Sequence, residues 1–104
     1  MVTVVNDDNA SSVLATDKPV MLDLGAVWCG PCQALAPTID EMATEYEGRA
    51  VVAKADVEES PDLAARYRVR NVPTVLFLKG GEVVDKSVGL VPKATLAEKL
   101  NALL

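Results

Sequence analysis

Two cysteines stand with two residues between them in Trp28-Cys29-Gly30-Pro31-Cys32, and they are the only cysteines in the chain. Their spacing limits what they can do. A disulfide stabilises mainly by closing a long loop in the unfolded chain, and a Cys-x-x-Cys bridge closes almost nothing. The thiolate is the reactive form of cysteine. It is favoured near a helix N-terminus, where free N–H groups and the helix dipole are worth about 0.3–1 kcal/mol to a negative charge. An apolar, strand-like run precedes the pair and a helical pattern follows it. Cys29 is therefore expected at the helix end, exposed and with a lowered pKa. Cys32 is expected in the first turn, deeper and less accessible. Such a pair can exchange with a substrate disulfide: Cys29 attacks to form a mixed disulfide, then Cys32 attacks Cys29 and releases the reduced substrate. Gly30 permits close approach of a partner chain, and Pro31 fixes φ and stiffens the loop. The competing readings are a structural bridge, half of a metal site, or two inert core thiols. The chain has no histidine, which removes Cys-His catalysis, histidine acid–base chemistry and nearly every common zinc site.

Other residues stand out against their surroundings. Asp23 is alone in an apolar strand, where an unpaired carboxylate costs several kcal/mol, so it should be neutral or paired. Lys54, in Ala53-Lys54-Ala55, is equally out of place unless it snorkels to the surface. Pro73 reads by itself as a strand-initiating proline, Gly89 as a bend after the last strand, and Trp28 as either partner contact or packing beside a glycine loop.

The elements that must position these groups alternate between strand and helix, the mark of an α/β layer structure. Residues 2–5 read as a short strand. Residues 8–16 read as a weak helix with Asp7 or Asp8 as cap and Ala10, Val13 and Leu14 on one face. Residues 20–26 are nearly all apolar, as in a strand covered on both faces. After Cys29, Leu35, Ile39, Met42, Ala43 and Tyr46 repeat at helical spacing. Gly48 should end that helix, and Pro37 should kink it. Residues 50–57 return as a strand, and Ser60-Pro61 caps a short helix to about Tyr67. Strands over 74–79 and 82–88 are joined by Gly80-Gly81, a two-residue loop able to supply the positive φ angles of a tight antiparallel hairpin. Pro92 opens a last helix with Leu96, Leu100, Leu103 and Leu104 facing inward.

Trp28-Cys29-Gly30-Pro31-Cys32, with Asp23 in the buried strand before it and Val72-Pro73-Thr74 far downstream, resembles the thioredoxin family. The likeness runs from about residue 19 to the end and is looser in the first helix. It implies the thioredoxin fold, a central mixed five-stranded sheet flanked by four helices in the order β-α-β-α-β-α-β-β-α. It implies that Asp23 relays protons to and from Cys32, and that Lys54 modulates it. It also implies a cis Val72-Pro73 bond facing the cysteines, with the backbone of Val72 pairing with an extended substrate segment. Gly89 would lie on the same binding surface, and Trp28 on its rim. The chain departs from the pattern at Leu24 and Gly25, where most members carry two aromatics, and at Gln33, where many carry lysine. These changes remove no catalytic atom, but they bear on redox potential, loop stability and choice of partner.

The whole chain bounds the function further. Its 104 residues, half of them apolar, suit a single domain over 1–104. Ten basic against fifteen acidic residues leave a net charge of −5, which disfavours nucleic acid and anionic membranes as partners. No run approaches the ~18–20 apolar residues that span a bilayer. The start has no basic leader, so a cytoplasmic location is expected. A monomer is expected as well. No Gly-x-Gly-x-x-Gly loop is present, so no bound cofactor is expected beyond the redox-active Cys29–Cys32 disulfide. The resemblance then implies re-reduction by a separate thioredoxin reductase, with NADPH used only by that partner. The expected function is protein-disulfide reduction on disulfide-containing client proteins. A disulfide oxidase or isomerase is one alternative. A non-catalytic binding module using the rim Trp28, Val72 and Val91 is another.

Overall fold

In the run Val20-Met21-Leu22-Asp23-Leu24 every residue is buried, so this strand must be covered on both faces. The computed structural model, which describes all 104 residues, shows how. In chain order the elements are β1 (Thr3–Val4), α1 (Ala10–Leu14), β2 (Val20–Gly25), α2 (Gly30–Glu45), β3 (Val51–Asp56), α3 (Pro61–Arg66), β4 (Thr74–Lys79), β5 (Glu82–Val88) and α4 (Lys93–Asn101). One five-stranded sheet runs β1-β3-β2-β4-β5, which puts β2 at its centre. β1, β3 and β2 are parallel, while β4 is antiparallel to both β2 and β5. The sheet is therefore mixed, as the glycine hairpin requires, and Gly80 and Gly81 take φ +62° and +80°.

Strand alternation sorts the core into two layers. Met21, Val75 and Phe77 meet Leu35, Ile39 and Met42 of α2 and Leu96 and Leu100 of α4. On the other face Leu22, Leu24, Leu76 and Leu78 meet Leu14 of α1 and Leu63 of α3. This is the mixed five-stranded sheet with four helices that the sequence leads one to expect. Tyr46 at the end of α2 is buried, and its hydroxyl donates to Asn101 Oδ1 at 2.7 Å, tying α2 to the last residue of α4. Tyr46→Phe should destabilise the protein by about 1 kcal/mol. A urea titration would show this as a lower midpoint with an unchanged slope, and an unchanged midpoint would mean that water replaces the bond without loss.

Several local expectations are corrected. β1 has two residues, and α1 has five rather than nine. Asn9, not Asp7 or Asp8, occupies the α1 cap position. Asp7 instead caps α3, accepting the N–H groups of Asp62 at 3.1 Å and Leu63 at 2.8 Å. Ser60 holds the cap position of α3, but its side chain makes no capping bond, because Asp7 has taken those donors. As expected, α2 carries Pro37 inside its run from Gly30 to Glu45. At the C-terminus Leu103 packs partly against the core, but Leu104 is 52% exposed. Helix α4 ends at Asn101, too early to carry Leu104 onto the inward face.

Candidate active site

Parallel β2 and β3 end side by side, with Gly25 opposite Asp56, and antiparallel β4 begins at the same end, with Thr74 opposite Leu24. Crevices at the carboxyl ends of parallel strands are where α/β sheets hold their sites. Here the chain leaves β2, turns through Val27 and Trp28, and enters α2 with Cys29 at the N-cap. Cys29 and Cys32 form a disulfide, with Cα atoms 5.2 Å apart. Cys29 Sγ accepts the Cys32 N–H at 3.2 Å, one of the donors a helix leaves free in its first turn. This bond, with the helix dipole, favours a thiolate at Cys29 in the reduced protein.

The expected contrast in exposure is absent. Cys29 is 5% exposed and Cys32 9%. Ala26, Val57 and Val72 pack around the pair and cover Cys29 as thoroughly as the helix covers Cys32.

Val72 also brings a carbonyl to the pair. Its oxygen lies 3.7 Å from Cys29 Sγ, a contact that a thiol, though not the disulfide, can turn into a hydrogen bond. The Val72–Pro73 bond is cis. The Gly89 N–H donates to the Pro73 carbonyl at 2.8 Å, and Gly89 sits at φ +90°, where a side chain is strained. Thr74 Oγ1 donates to the Asn71 carbonyl at 2.6 Å. The segment 71–74 is thus pinned beside the cysteines. Around it Trp28, Gly30 and Pro31 are exposed and Val72 and Val91 half-buried. Val27 and Leu90, which the sequence reading passed over, are exposed at the two turns that frame the same rim.

Behind the disulfide stands Asp23, 9% exposed, in register with Lys54 on β3. Burial pushes its carboxyl up to about 6, and the charge of Lys54 pulls the other way. Oδ1 of Asp23 has no hydrogen-bond partner. Lys54 is exposed, so its ammonium reaches water while its backbone stays in the sheet. Lys54→Gln should move the Asp23 titration above about 6, since the opposing charge is gone. Carboxyl carbon chemical shifts followed against pH read this directly, and an unmoved or lowered midpoint would show that the two groups do not interact.

Two residues near the site escape the sequence reading. The Trp28 indole N–H donates to Glu58 Oε1, thirty residues away. Nothing in the sequence pairs Glu58 with Trp28. The one local cue is Asp56, whose Oδ1 accepts the N–H groups of Glu58 at 2.8 Å and Glu59 at 3.2 Å and so shapes the turn that presents Glu58. The second is Ser60, 1% exposed with Oγ unpartnered.

Known proteins match this sequence closely. The family described as Thioredoxin matches residues 1–102. The chain belongs to the thioredoxin family. It is 46% identical over 91 residues to a protein named thioredoxin from Chlorobaculum thiosulfatiphilum, covering 88% of this chain and 84% of the relative. It is 48% identical over 89 residues to thioredoxin 1 of a Nostoc species, covering 86% and 83%. It is 49% identical over 101 residues to the chloroplastic M-type thioredoxin of Pisum sativum, covering 96% of this chain and 59% of that longer relative. With a cysteine pair at bonding distance, membership in the thioredoxin family makes the chain a thiol–disulfide oxidoreductase. No group of three or more His, Cys, Asp or Glu side chains is placed to hold a metal ion. No helix is long and apolar enough to cross a membrane. Leu24, one of the three positions named above as departing from the resemblance, is fully buried against α1 and α3. Gly25, a second, packs against Cys32 of the disulfide.

Proposed function

We propose that residues 1–104 act as one domain and as a protein-disulfide reductase. The observation that carries this reading is the setting of Cys29. Its sulfur accepts a helix N-terminal N–H and lies against the Val72 carbonyl beside a cis proline. A client segment laid in extended form along Val72 would pair with its backbone, bringing the client disulfide to Cys29. Trp28, Gly30, Pro31, Pro73 and Gly89 form the floor and rim of that docking surface. Cys29 attacks, one client sulfur leaves as thiolate, and a mixed disulfide forms. Cys32 then attacks Cys29 Sγ and expels the second client thiolate, leaving the Cys29–Cys32 bridge. Asp23 takes the proton that Cys32 must lose, and a carboxyl titrating at about 6 is ionised and able to do so at neutral pH. Lys54 tunes Asp23 by its charge.

The oxidised bridge is returned to the dithiol by a separate thioredoxin reductase that draws on NADPH, in a reducing compartment such as the cytoplasm. An equilibrium titration of the couple against glutathione buffers tests the direction of electron flow. A reductant stays oxidised until the buffer is strongly reducing, and a midpoint among strongly oxidising couples would make the protein an oxidase instead. A Cys29→Ser, Cys32→Ser double variant should lose all reductase activity. A client effect that survives it would belong to a binding module.

A further inference from the structure

Four of the chain's ten basic residues, Arg66, Arg68, Arg70 and Lys86, gather around Tyr67, and none of them pairs with a carboxylate. The ion pairs of the structure use Lys93 and Lys99 alone. Helix α3 closes just before this group. The Arg68 N–H donates to the Ala65 carbonyl at 3.1 Å, and the Val69 N–H to the Ala64 carbonyl at 2.9 Å. Such a closure needs a left-handed residue, usually glycine, and Arg68 fills it at φ +54°. An arginine is thus held in a conformation that glycine adopts without strain. On β5, Lys86 stands opposite Leu76, on the sheet face that α3 covers. Its neighbour Asp85 is turned to the other face and paired with Lys99 of α4. Arg68, Arg70 and Lys86 line one cavity of about 140 Å³, together with Tyr67, Asn71 and Thr74 and with no acidic residue. Tyr67 carries the Arg66 guanidinium 5.2 Å from its ring centre, and its hydroxyl oxygen is buried without a partner. The neighbourhood is short of acceptors, since arginine and lysine side chains supply none.

We propose that this cavity binds a small phosphate dianion, either inorganic phosphate or the phosphate group of a small monoester. Three positive charges from two parts of the chain meet there unpaired, and an anion among them relieves their mutual repulsion. The planar guanidinium groups of Arg68 and Arg70 suit bidentate contact with phosphate oxygens, and the Lys86 ammonium adds a point charge. A single carboxylate would leave two of the three charges unbalanced. At about 30 Å³ per water the cavity holds about four or five waters, a space suited to one tetrahedral ion. Nucleic acid and anionic membranes remain opposed by the net charge of −5. The dipole of α3 accounts for Arg66 in its last turn, but for neither Arg70 nor Lys86, which lie off that helix. Because the Tyr67 hydroxyl is closed off from solvent, the three cations make the direct contacts. Asn71 and Thr74 belong to the segment pinned beside the cysteines, so the site adjoins the proposed docking surface while using neither sulfur.

The test titrates the full oxidised chain, followed by its backbone amide resonances, with inorganic phosphate, with methyl phosphate and with acetate. The pH is mildly alkaline, where phosphate is a dianion, and sodium chloride holds the ionic strength constant. The expected result is a saturable shift of the Arg68, Arg70, Asn71 and Lys86 amides with at least one of the two phosphates, half-complete at about 1 mM or below. Acetate should bind at least about tenfold more weakly. The tighter of the two phosphates identifies the source of the group. Arg68→Gly removes one cation at a position where glycine is unstrained, so the variant should fold at least as well as the parent. It should weaken phosphate binding by at least about tenfold, as should Lys86→Gln, while Lys18→Gln, at an exposed cation outside the cavity, should change it less than about twofold. Shifts that stay linear in phosphate, or that sodium chloride reproduces, refute the site, as does equal affinity for acetate. Binding unchanged in both Arg68→Gly and Lys86→Gln places the anion elsewhere and overturns the assignment. A glutamate-rich peptide that moves these amides when phosphate does not also overturns it, in favour of an acidic protein partner. Reductase activity plays no part in the readout, so the proposed function stands or falls separately.

Discussion

Replacing Cys32 by serine is expected to stop turnover at a covalent adduct between Cys29 and its client. On the proposed mechanism the nucleophile loses nothing it needs. Cys29 keeps its place at the α2 N-cap, and the N–H that its sulfur accepts belongs to the backbone of residue 32, which serine also supplies. What disappears is the second thiolate, held three residues away with its Cα 5.2 Å from that of Cys29. Well-oriented intramolecular reactions reach effective molarities of about 10⁵ M or more, and an external thiol at millimolar concentration cannot approach that. Multiple-turnover reduction should therefore fall by at least about a thousandfold, while one equivalent of client becomes bound. Non-reducing electrophoresis and intact mass measure the trapped adduct. Continued turnover would remove Cys32 from its role as resolver. Trapping by Cys29→Ser on a protein client would exchange the two roles.

Asp23→Asn is expected to make the protein more stable and less active at once. The ordinary carboxyl value is 3.8, whereas burial raises Asp23 to about 6 in the folded protein. Between those values the folded state keeps a proton that the unfolded state has lost. Stability must then fall as pH rises from about 4 to about 6, and stay lower above that. Two pH units correspond to about 3 kcal/mol. Asparagine carries no charge to desolvate, so the variant should gain up to about 3 kcal/mol above pH 6, with the gain vanishing below about pH 4. Denaturant titrations of the oxidised proteins across this range test the sign, and a difference independent of pH would contradict it. On the proposed mechanism the same substitution slows attack by Cys32 by at least about tenfold above pH 6, because its proton acceptor is gone. If resolution is unchanged at every pH, Asp23 is not the relay. A buried carboxylate that costs stability and leaves one oxygen unpartnered is the kind of local inconsistency that marks a functional position.

Much of this molecule is legible in its sequence because the relevant signals are short. Apolar runs give the central strands, a helical repeat after Cys29 gives α2, and Gly80-Gly81 gives the hairpin. Each depends on dihedral preferences and burial patterns within a dozen residues. The Cys-x-x-Cys pair at the mouth of a helix and the lone Asp23 in an apolar strand are legible for the same reason. Those signals are enough for the α/β class and for thiol chemistry. The helix caps near α1 and α3 show where such reading stops. Asp7 looks like a cap for the helix that follows it, but its carboxylate bonds to residues 55 and 56 positions away. Competition between two nearby helix ends is settled by packing.

The site repeats this lesson on a larger scale. The chain itself shows which sulfur chemistry is possible, since residue type and three-residue spacing suffice for that. Only the tertiary structure decides what surrounds the sulfurs. Sheet order and strand register bring Val72 to Cys29 across 43 residues and Glu58 to Trp28 across 30. Packing by Ala26, Val57 and Val72 removes the expected difference in exposure between Cys29 and Cys32. The bare backbone of Gly25 becomes meaningful only when α2 places Cys32 Sγ against it. Local propensities are properties of neighbours along the chain, whereas accessibility, pairing and cavities are properties of neighbours in space.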